Sequence, residues 1–451
     1  MLLVAAALLT ASMHSLGVVE VPDVPPAHAA PAAVAVVAPR HPAPVPVATG
    51  GHTGVEDVAT AGGRAFLDGL GALDADELGR AAADRRVVDT VQDDPPPAAT
   101  VARWWVGLHG DERDLLLRCA PSVVGNLDGV PYAVRDVANR ATLTTGLADA
   151  DTGAAEAAML GQVRDSLVHE PGDPQRYLVT LDTRGSGRAA ISIGDLDTAA
   201  DVTVVVPGMF FTVTGQMTDF TATANDLSRE QATLAPLATA GGGSGSGVAV
   251  VAWMGYRTPD LSNILSLGLA ETGAVRLERA VDGLRERPVD PPRLNVVAHS
   301  YGSTTAMIAL ASGRMTADTL TVLGSPGSDV RSAADLAVTD GEVFVGGAHS
   351  DPIAGSGYFG TDPGGASFGS TVLDLAGGVQ DAAGDVFRRP VGHNDYLEPG
   401  TASLHDVALI GIGRGDLVRE QVRRGDHDGD SVVGATPDMY LVRPQDLQPR
   451  D

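Results

Sequence analysis

The sequence contains no lysine: all 31 of its basic residues are arginine. That absence excludes chemistry built on a neutral amine, such as Schiff-base formation, and phosphate-binding loops that end on lysine. Cysteine is nearly as scarce, with one in 451 residues. A single Cys119 permits no intramolecular disulfide, and within a helical pattern it is expected to be a buried core thiol rather than a reactive one. No Cys and His spacing has the form of a zinc site, so neither metal nor cofactor is expected. Basic charge is short overall, because 57 acidic residues against 31 basic ones give a formal net charge of -26. A chain this acidic is unsuited to nucleic acid or to an anionic membrane surface.

What is present divides the chain into four parts. Residues 1–54 begin with an almost wholly apolar run, Leu2 to Ala11, followed by an alanine- and proline-rich stretch that reads as an extended linker. The run suits a signal-peptide core, and Ala27, His28 and Ala29 offer a small-x-small cleavage pattern, but no arginine precedes Arg40. Export or anchoring is favoured over a frayed cytoplasmic tail. Residues 55–168 are helical in pattern. There Ala102 to Ala120 reads as one amphipathic run stopped by Pro121, with Trp104 and Trp105 expected to anchor this region on its neighbour. Residues 169–415 change period, and residues 416–451 form an acidic tail in which Asp426, Asp428 and Asp430 resemble a calcium loop without its closing glutamate.

The change of period after residue 168 defines the fold class. Arg176 to Asp182 and Arg188 to Ile193 read as an antiparallel hairpin. Apolar runs at Val202 to Val206, Val248 to Trp253, Leu294 to Ala298, Leu320 to Leu323 and Glu342 to Val345 then alternate with helical segments, notably Leu267 to Leu284. Strands alternating with helices imply a mostly parallel, doubly wound alpha/beta sheet, whose ligands sit at the carboxyl ends of the strands.

One of those strand ends carries a serine. Leu294 to Ala311 reads LNVVAHSYGSTTAMIALA, a strand, a sharp turn and a helix with Ser300 on the turn. Such a turn lifts a serine hydroxyl above the sheet as a nucleophile, and the positions two before and two after it must be small. Here they are Ala298 and Gly302, with alanine where glycine is usual. An ordinary strand-helix turn would give the same five residues, so the flanking strand and helix carry the reading.

The remaining machinery is sought at the other strand ends. Val206 runs into Pro207, Gly208 and Met209, where a glycine lets the backbone approach a substrate oxygen; the N–H groups of Met209 and Tyr301 would form an oxyanion hole. An acid and then a histidine should follow the serine. Asp351 lies just past the Val345 strand, ahead of the weaker candidates Asp362 and Asp374. His393 sits in a polar loop before the last helix, whereas His349 is too near the acid, His405 falls inside that helix, and His299 is expected to point away from the serine. Ser325 precedes a proline and reads as a turn; Trp253 and Tyr256 either line the pocket or cap the sheet. Phe210 to Ala240 and Ala354 to Arg389 flank the site as candidate lid or acyl pocket.

Eight ordered stretches together carry a resemblance: WWVGL (Trp104 to Leu108), GNLDGVPYAVRDVANR (Gly125 to Arg140), VVVPGM (Val204 to Met209), AWMGY (Ala252 to Tyr256), AHSYGS (Ala298 to Ser303), GSPG (Gly324 to Gly327), DPI (Asp351 to Ile353) and GHNDY (Gly392 to Tyr396). From about residue 100 to 415 the chain resembles a bacterial alpha/beta-hydrolase family of high-GC Gram-positive bacteria, long described as a domain of unknown function. The resemblance implies the hydrolase fold, with Ser300, Asp351 and His393 as the triad, and leaves the substrate open. The expected activity is hydrolysis of an ester-like small molecule or lipid through an acyl-enzyme. An acyltransferase with the same triad, or a binding module on a catalytically inactive hydrolase fold, are the alternatives.

Overall fold

The computed structural model describes residues 54–240, 247–287, 290–378 and 386–420. The N-terminal apolar run, most of the Gly241 to Gly247 connector and the aspartates at 426, 428 and 430 lie outside them. Eight strands form one sheet: β1 (Arg176–Asp182), β2 (Arg188–Ile193), β3 (Asp201–Val206), β4 (Val248–Met254), β5 (Arg293–His299), β6 (Thr319–Leu323), β7 (Val343–Gly346) and β8 (Thr371–Val372), in the order β1-β2-β4-β3-β5-β6-β7-β8. The hairpin partner β2 runs antiparallel to β4, and every pairing from β4 onward to β8 is parallel. The sheet reverses its order about β3 and β5. Their carboxyl ends, at Val206 and His299, are therefore where the topology opens a crevice.

Both faces of the sheet are covered, which is why its strands are near-continuous runs of valine and alanine rather than alternating ones. Four helices contribute: α10 (Val213–Ala240), α11 (Gly268–Arg285), α12 (Tyr301–Ala311) and α13 (Ala402–Gly411). On one face Val204, Val296 and Ala298 pack with Leu277 and Val281 of α11 and Met307 and Leu310 of α12. On the other, Val205, Val250 and Val297 pack with Met217, Ala224 and Leu227 of α10 and Val407 and Ala408 of α13. The segment expected to be a lid is thus mostly a core helix. Its Val213, Met217, Phe220, Ala224 and Leu227 recur at helical spacing on the buried side, and only its N-terminal part faces a cavity.

The region before the sheet is a set of helices: α1 (Val55–Thr60), α2 (Gly63–Ala72), α3 (Ala75–Ala83), α4 (Arg85–Asp93), α5 (Ala98–Gly107), α6 (Gly110–Cys119), α7 (Pro121–Val124), α8 (Tyr132–Ala148) and α9 (Ala154–Ser166). The single run expected over Ala102 to Ala120 is two helices. Leu108 ends α5 in extended geometry, and Glu112 accepts the backbone N–H of His109 at 2.6 Å to start α6. Pro121 does not stop a helix but opens α7 from its first position, where its missing N–H has no partner to lose. Cys119 is half-buried against the helical core rather than enclosed by it.

Docking of this region on the sheet does not use the tryptophans. Trp104 and Trp105 lie inside the helical region's own core with Phe66, Leu70 and Leu116. The seam is apolar where Tyr132 of α8 joins the core of one sheet face and Leu143 of α8 with Met159, Leu160 and Val163 of α9 joins that of the other, and it is polar beyond them. Asp93 at the end of α4 meets Arg184 of the β1–β2 turn at 2.8 Å and Arg276 of α11 at 2.5 Å. The open edge of β1 is closed by side chains: Asp136 of α8 accepts the Leu178 N–H at 2.6 Å, Asn139 donates to the Leu178 carbonyl at 3.0 Å, and Asn126 makes both bonds of Leu181 at 2.9 Å. An edge strand left bare would be a template for another chain, and here its backbone groups are satisfied within the molecule.

Candidate active site

The serine turn is built as its sequence requires. At the end of β5, Ser300 adopts φ 54° and ψ -129°, a left-handed conformation that strains a residue with a Cβ and usually marks a functional position. Hydrogen bonds hold that conformation on both sides. The Ser300 N–H donates to the Leu323 carbonyl of β6 at 2.9 Å, and its carbonyl accepts the N–H of Ser303 at 2.9 Å and the Ser303 hydroxyl at 2.6 Å. A Cβ on Gly302 would stand 2.5 Å from the Pro207 carbonyl oxygen, and one on Gly208 would stand 2.8 Å from the Ser300 Cβ. Neither contact is tolerable, so both must be glycine. Ala298 lies fully buried in β5 between Val206 and Val322, where its methyl group packs within the core.

Ser300, His393 and Asp351 meet in one line although 93 and 42 residues separate the successive pairs. The His393 Nε2 lies 2.7 Å from the Ser300 Oγ, and its Nδ1 lies 2.9 Å from each oxygen of Asp351. Because Asp351 is an acceptor, Nδ1 carries the proton and Nε2 is left to accept from the serine hydroxyl. Asp351 is completely buried. Burial alone would raise its pKa, but hydrogen bonding and charge at His393, the Tyr396 hydroxyl and the Ile353 N–H together hold it below the usual carboxylate value.

Two residues that sequence reasoning did not assign complete this network. The Tyr396 hydroxyl donates to Asp351 Oδ2 at 2.6 Å and accepts the Ala348 N–H at 2.7 Å, so it ties the acid to the end of β7. His299 bonds not to the serine hydroxyl but to the histidine loop: its Nε2–H donates to the His393 carbonyl at 2.6 Å and its ring lies 4.6 Å from the His393 ring. Burial, reinforced by the nearby His393, pushes the His299 pKa down to about 3 and keeps that ring neutral. Its one sequence signal is its place beside Ser300. Tyr396 signals only by following the histidine in GHNDY.

The other candidates lie elsewhere. Asp362 accepts the Gly364 N–H and Asp374 the Ala376 N–H, each within its own turn. His405 pairs with Glu230 at 2.8 Å, and His349 is exposed. Ser325 accepts the Ser303 hydroxyl and the Gly327 N–H, which makes it part of a tight turn. Trp253 and Tyr256 stack at 5.8 Å inside the core, and the Tyr256 hydroxyl donates to the Pro207 carbonyl at 2.7 Å, fixing the Pro207–Gly208–Met209 loop from behind.

That loop and the start of α12 each leave a backbone donor unused. Among the described residues the N–H groups of Met209 and Tyr301 donate to nothing within the protein. The next residue, Phe210, is strained at φ 63° and tied by its N–H to the Pro259 carbonyl at 3.0 Å. Over Ser300 the space is a narrow crevice of about 10 Å³, walled by Met209, Ile264, Tyr301, Ile353 and Phe359. Met209 also borders a separate cavity of about 330 Å³ lined by Phe210, Phe220, His299 and Asn394. Among the described residues no group of three or more His, Cys, Asp or Glu side chains is placed to hold a metal ion, and no helix is long and apolar enough to cross a membrane.

The strand order, with a strained serine at the end of β5 and an acid and a histidine after β7, is that of the alpha/beta-hydrolase fold. Residues 182–361 match the family described as alpha/beta hydrolase, and the chain belongs to it. An uncharacterised protein of Mycobacterium tuberculosis is 32% identical over 388 residues, covering 72% of this chain and 57% of that protein, so the chain spans little more than half of that relative's length. An uncharacterised protein of Mycobacterium bovis is 31% identical over 226 residues, covering 49% of this chain and 81% of that protein. Among solved structures, the dienelactone hydrolase of Anabaena variabilis is similar at 15% identity with a TM-score of 0.32, over 55% of this chain and 99% of that one.

Proposed function

We propose that the protein is a serine-dependent ester hydrolase that works through an acyl-enzyme on Ser300. The observation that carries this reading is the unbroken line from Ser300 Oγ through His393 to Asp351, at 2.7 and 2.9 Å, on a serine held at φ 54°. Ser300 Oγ attacks the ester carbonyl while His393 Nε2 takes its proton, and Asp351 stabilises the imidazolium so formed. The electron pair displaced onto the carbonyl oxygen is held by the N–H groups of Met209 and Tyr301, each such donor being worth about 10²–10³ in rate. Collapse of the tetrahedral intermediate expels the alcohol, which leaves with the proton from His393. Water then repeats the sequence and frees the acid. Substrates of this kind are small esters or lipid-like molecules, and the side chains around Ser300 at Met209, Ile264, Ile353 and Phe359 are apolar. Export or anchoring through the apolar N-terminal run is part of the same proposal.

A fluorophosphonate probe tests this reading because it reacts only with an activated serine. It should label the protein once, on the peptide that contains Ser300. Labelling of another residue, or none, would overturn the assignment.

The role given to Tyr396 has its own readout. In Tyr396→Phe the Asp351 carboxylate loses one hydrogen bond, becomes more basic and stabilises the imidazolium more strongly, so the acid limb of kcat/KM should move to higher pH. The variant should also lose about 1–3 kcal/mol of stability, because the buried Ala348 N–H loses its acceptor. An acid limb that stays in place would reduce Tyr396 to a packing residue.

A further inference from the structure

Ser300 is closed off from any ester as the site stands. It is 2% exposed, His393 is 5% exposed and Asp351 not at all, and the crevice of about 10 Å³ over the serine has room for one water molecule. A carbonyl that is to sit on Ser300 Oγ must therefore displace one of the walls. Hydrogen bonding decides which. Met209 stands on the loop that the Tyr256 hydroxyl holds through the Pro207 carbonyl at 2.7 Å, and Tyr301 belongs to α12. Ile353 and Phe359 lie on a stretch tied to the turn after β6: the Gly355 N–H donates to the Ser325 carbonyl at 3.2 Å, the Phe359 N–H to the Pro326 carbonyl at 3.1 Å and the Thr361 N–H to the Ser328 carbonyl at 2.6 Å.

Ile264 is held differently. It follows β4 in a stretch without helix or strand, outside both segments that the sequence offers as a lid. Among the described residues, those at 260–265 hydrogen-bond only with one another and with Ser266: Asp260 accepts the N–H groups of Ser262, Asn263 and Ile264, and its one ion pair is to the exposed Arg257 at 3.6 Å. The stretch is thus a preformed turn that can move as a unit. It is anchored at both ends, where the Phe210 N–H donates to the Pro259 carbonyl at 3.0 Å and the Tyr301 hydroxyl to the Ser266 carbonyl at 2.6 Å. Between these anchors Ile264 is the one buried residue, while Leu261 and Leu265 are exposed. Its apolar neighbours are Met209, Ile353 and Phe210, a small cluster separate from both cores of the sheet. Burial of a single isoleucine keeps the turn down, and no hydrogen bond to the rest of the protein has to break to raise it.

We propose that residues 260–265 form a flap over Ser300, with Ile264 as the plug that every substrate displaces. The proposal rests on the serine-hydrolase reading above and adds what admits the substrate. The rate of attack on Ser300 then contains the fraction of molecules with the flap raised, and that fraction grows as the plug is shortened.

The test is the rate at which Ser300 is labelled by two fluorophosphonates, one with an ethyl and one with a decyl chain. Ile264→Ala, three carbons shorter, should be labelled at least about tenfold faster than wild type by both probes, and Ile264→Val, one carbon shorter, about threefold faster. Leu265→Ala, on the exposed side of the same flap, should stay within about twofold of wild type. Turnover of a nitrophenyl butyrate should follow the same order in kcat/KM. Thermal unfolding accompanies each variant, and if Ile264→Ala does not fold, the rate of Ile264→Val alone decides. A folded Ile264→Ala protein labelled no faster than wild type would overturn the flap and leave the hydrolase reading intact. So would a gain with the ethyl probe alone, which would make Ile264 a fixed wall, or an equal gain in Leu265→Ala. If Ser300 is labelled in neither wild type nor Ile264→Ala, the hydrolase reading falls and the flap with it.

Discussion

Ser300→Ala should lower kcat by about 10⁵–10⁶, the cost of deleting a nucleophile from a triad whose members act as a unit. Folding should survive. Alanine carries the same Cβ as serine, so it meets the same strain at φ 54° and the same contact with Gly208, and the Ser300 backbone keeps its bonds to Leu323 and Ser303. What is lost is one hydroxyl, whose partner His393 Nε2 lies in a nearly dry site; the change in unfolding free energy should be within about 1 kcal/mol of wild type. On the proposed mechanism the residual rate belongs to the Met209 and Tyr301 donors and to substrate binding, and His393→Ala added to Ser300→Ala should therefore cost almost nothing more. Thermal unfolding alongside ester turnover separates the two effects. Activity within tenfold of wild type in a folded Ser300→Ala protein would remove the serine from the mechanism.

The fold was legible because its signals are local. The apolar runs of β3 to β7 are each separated by helical or turn-rich sequence, and the strand-turn-helix around Ser300 lies within 18 consecutive residues. Asp351 and His393 could be reached from sequence only through that frame, as polar residues past the last strands in the order the fold requires. Tyr396 and His299 could not, since each acts on a backbone or carboxyl group brought near by the sheet from 45 or more residues away. The misreadings have physical sources too. The break at Leu108 depends on a Glu112 cap begun by histidine, an uncommon capping residue. Pro121 looked like a stop, but proline is as much at home at the first position of a helix. The two tryptophans looked like an anchor between regions, yet the docking surface is made by Tyr132, Leu143, Leu160 and Val163 in the sheet cores, by Asp93 with arginines and by Asn126 and Asn139 with the β1 edge. A two-residue strand such as β8 has no period to detect.

Asp351→Asn is expected to lower kcat by about 10³–10⁴ while keeping the protein folded at neutral pH. The carboxylate accepts from three groups: His393 Nδ1, Ile353 N–H on Oδ1 and the Tyr396 hydroxyl on Oδ2. An amide offers only one oxygen, so its NH2 must face a former donor. Turned towards His393, it forces Nδ1 to accept and places the imidazole proton on Nε2. In that tautomer the histidine donates to Ser300 and cannot take its proton. Turned towards Tyr396, it keeps the tautomer but withdraws the negative charge that stabilises the imidazolium, and the acid limb of the remaining activity should shift to lower pH. The stability comparison has a definite sign as well. Because the folded pKa of Asp351 lies below its unfolded value, its ionisation stabilises the native state above pH about 4, and that contribution fades as pH falls through the folded value. Denaturant titrations of wild type and Asp351→Asn should therefore differ most at neutral pH and converge below pH about 4, where the unfolded carboxyl is protonated. A gap that widens on acidification would mean that the buried carboxylate is held above its ordinary pKa, and that Tyr396 and His393 do not offset its burial.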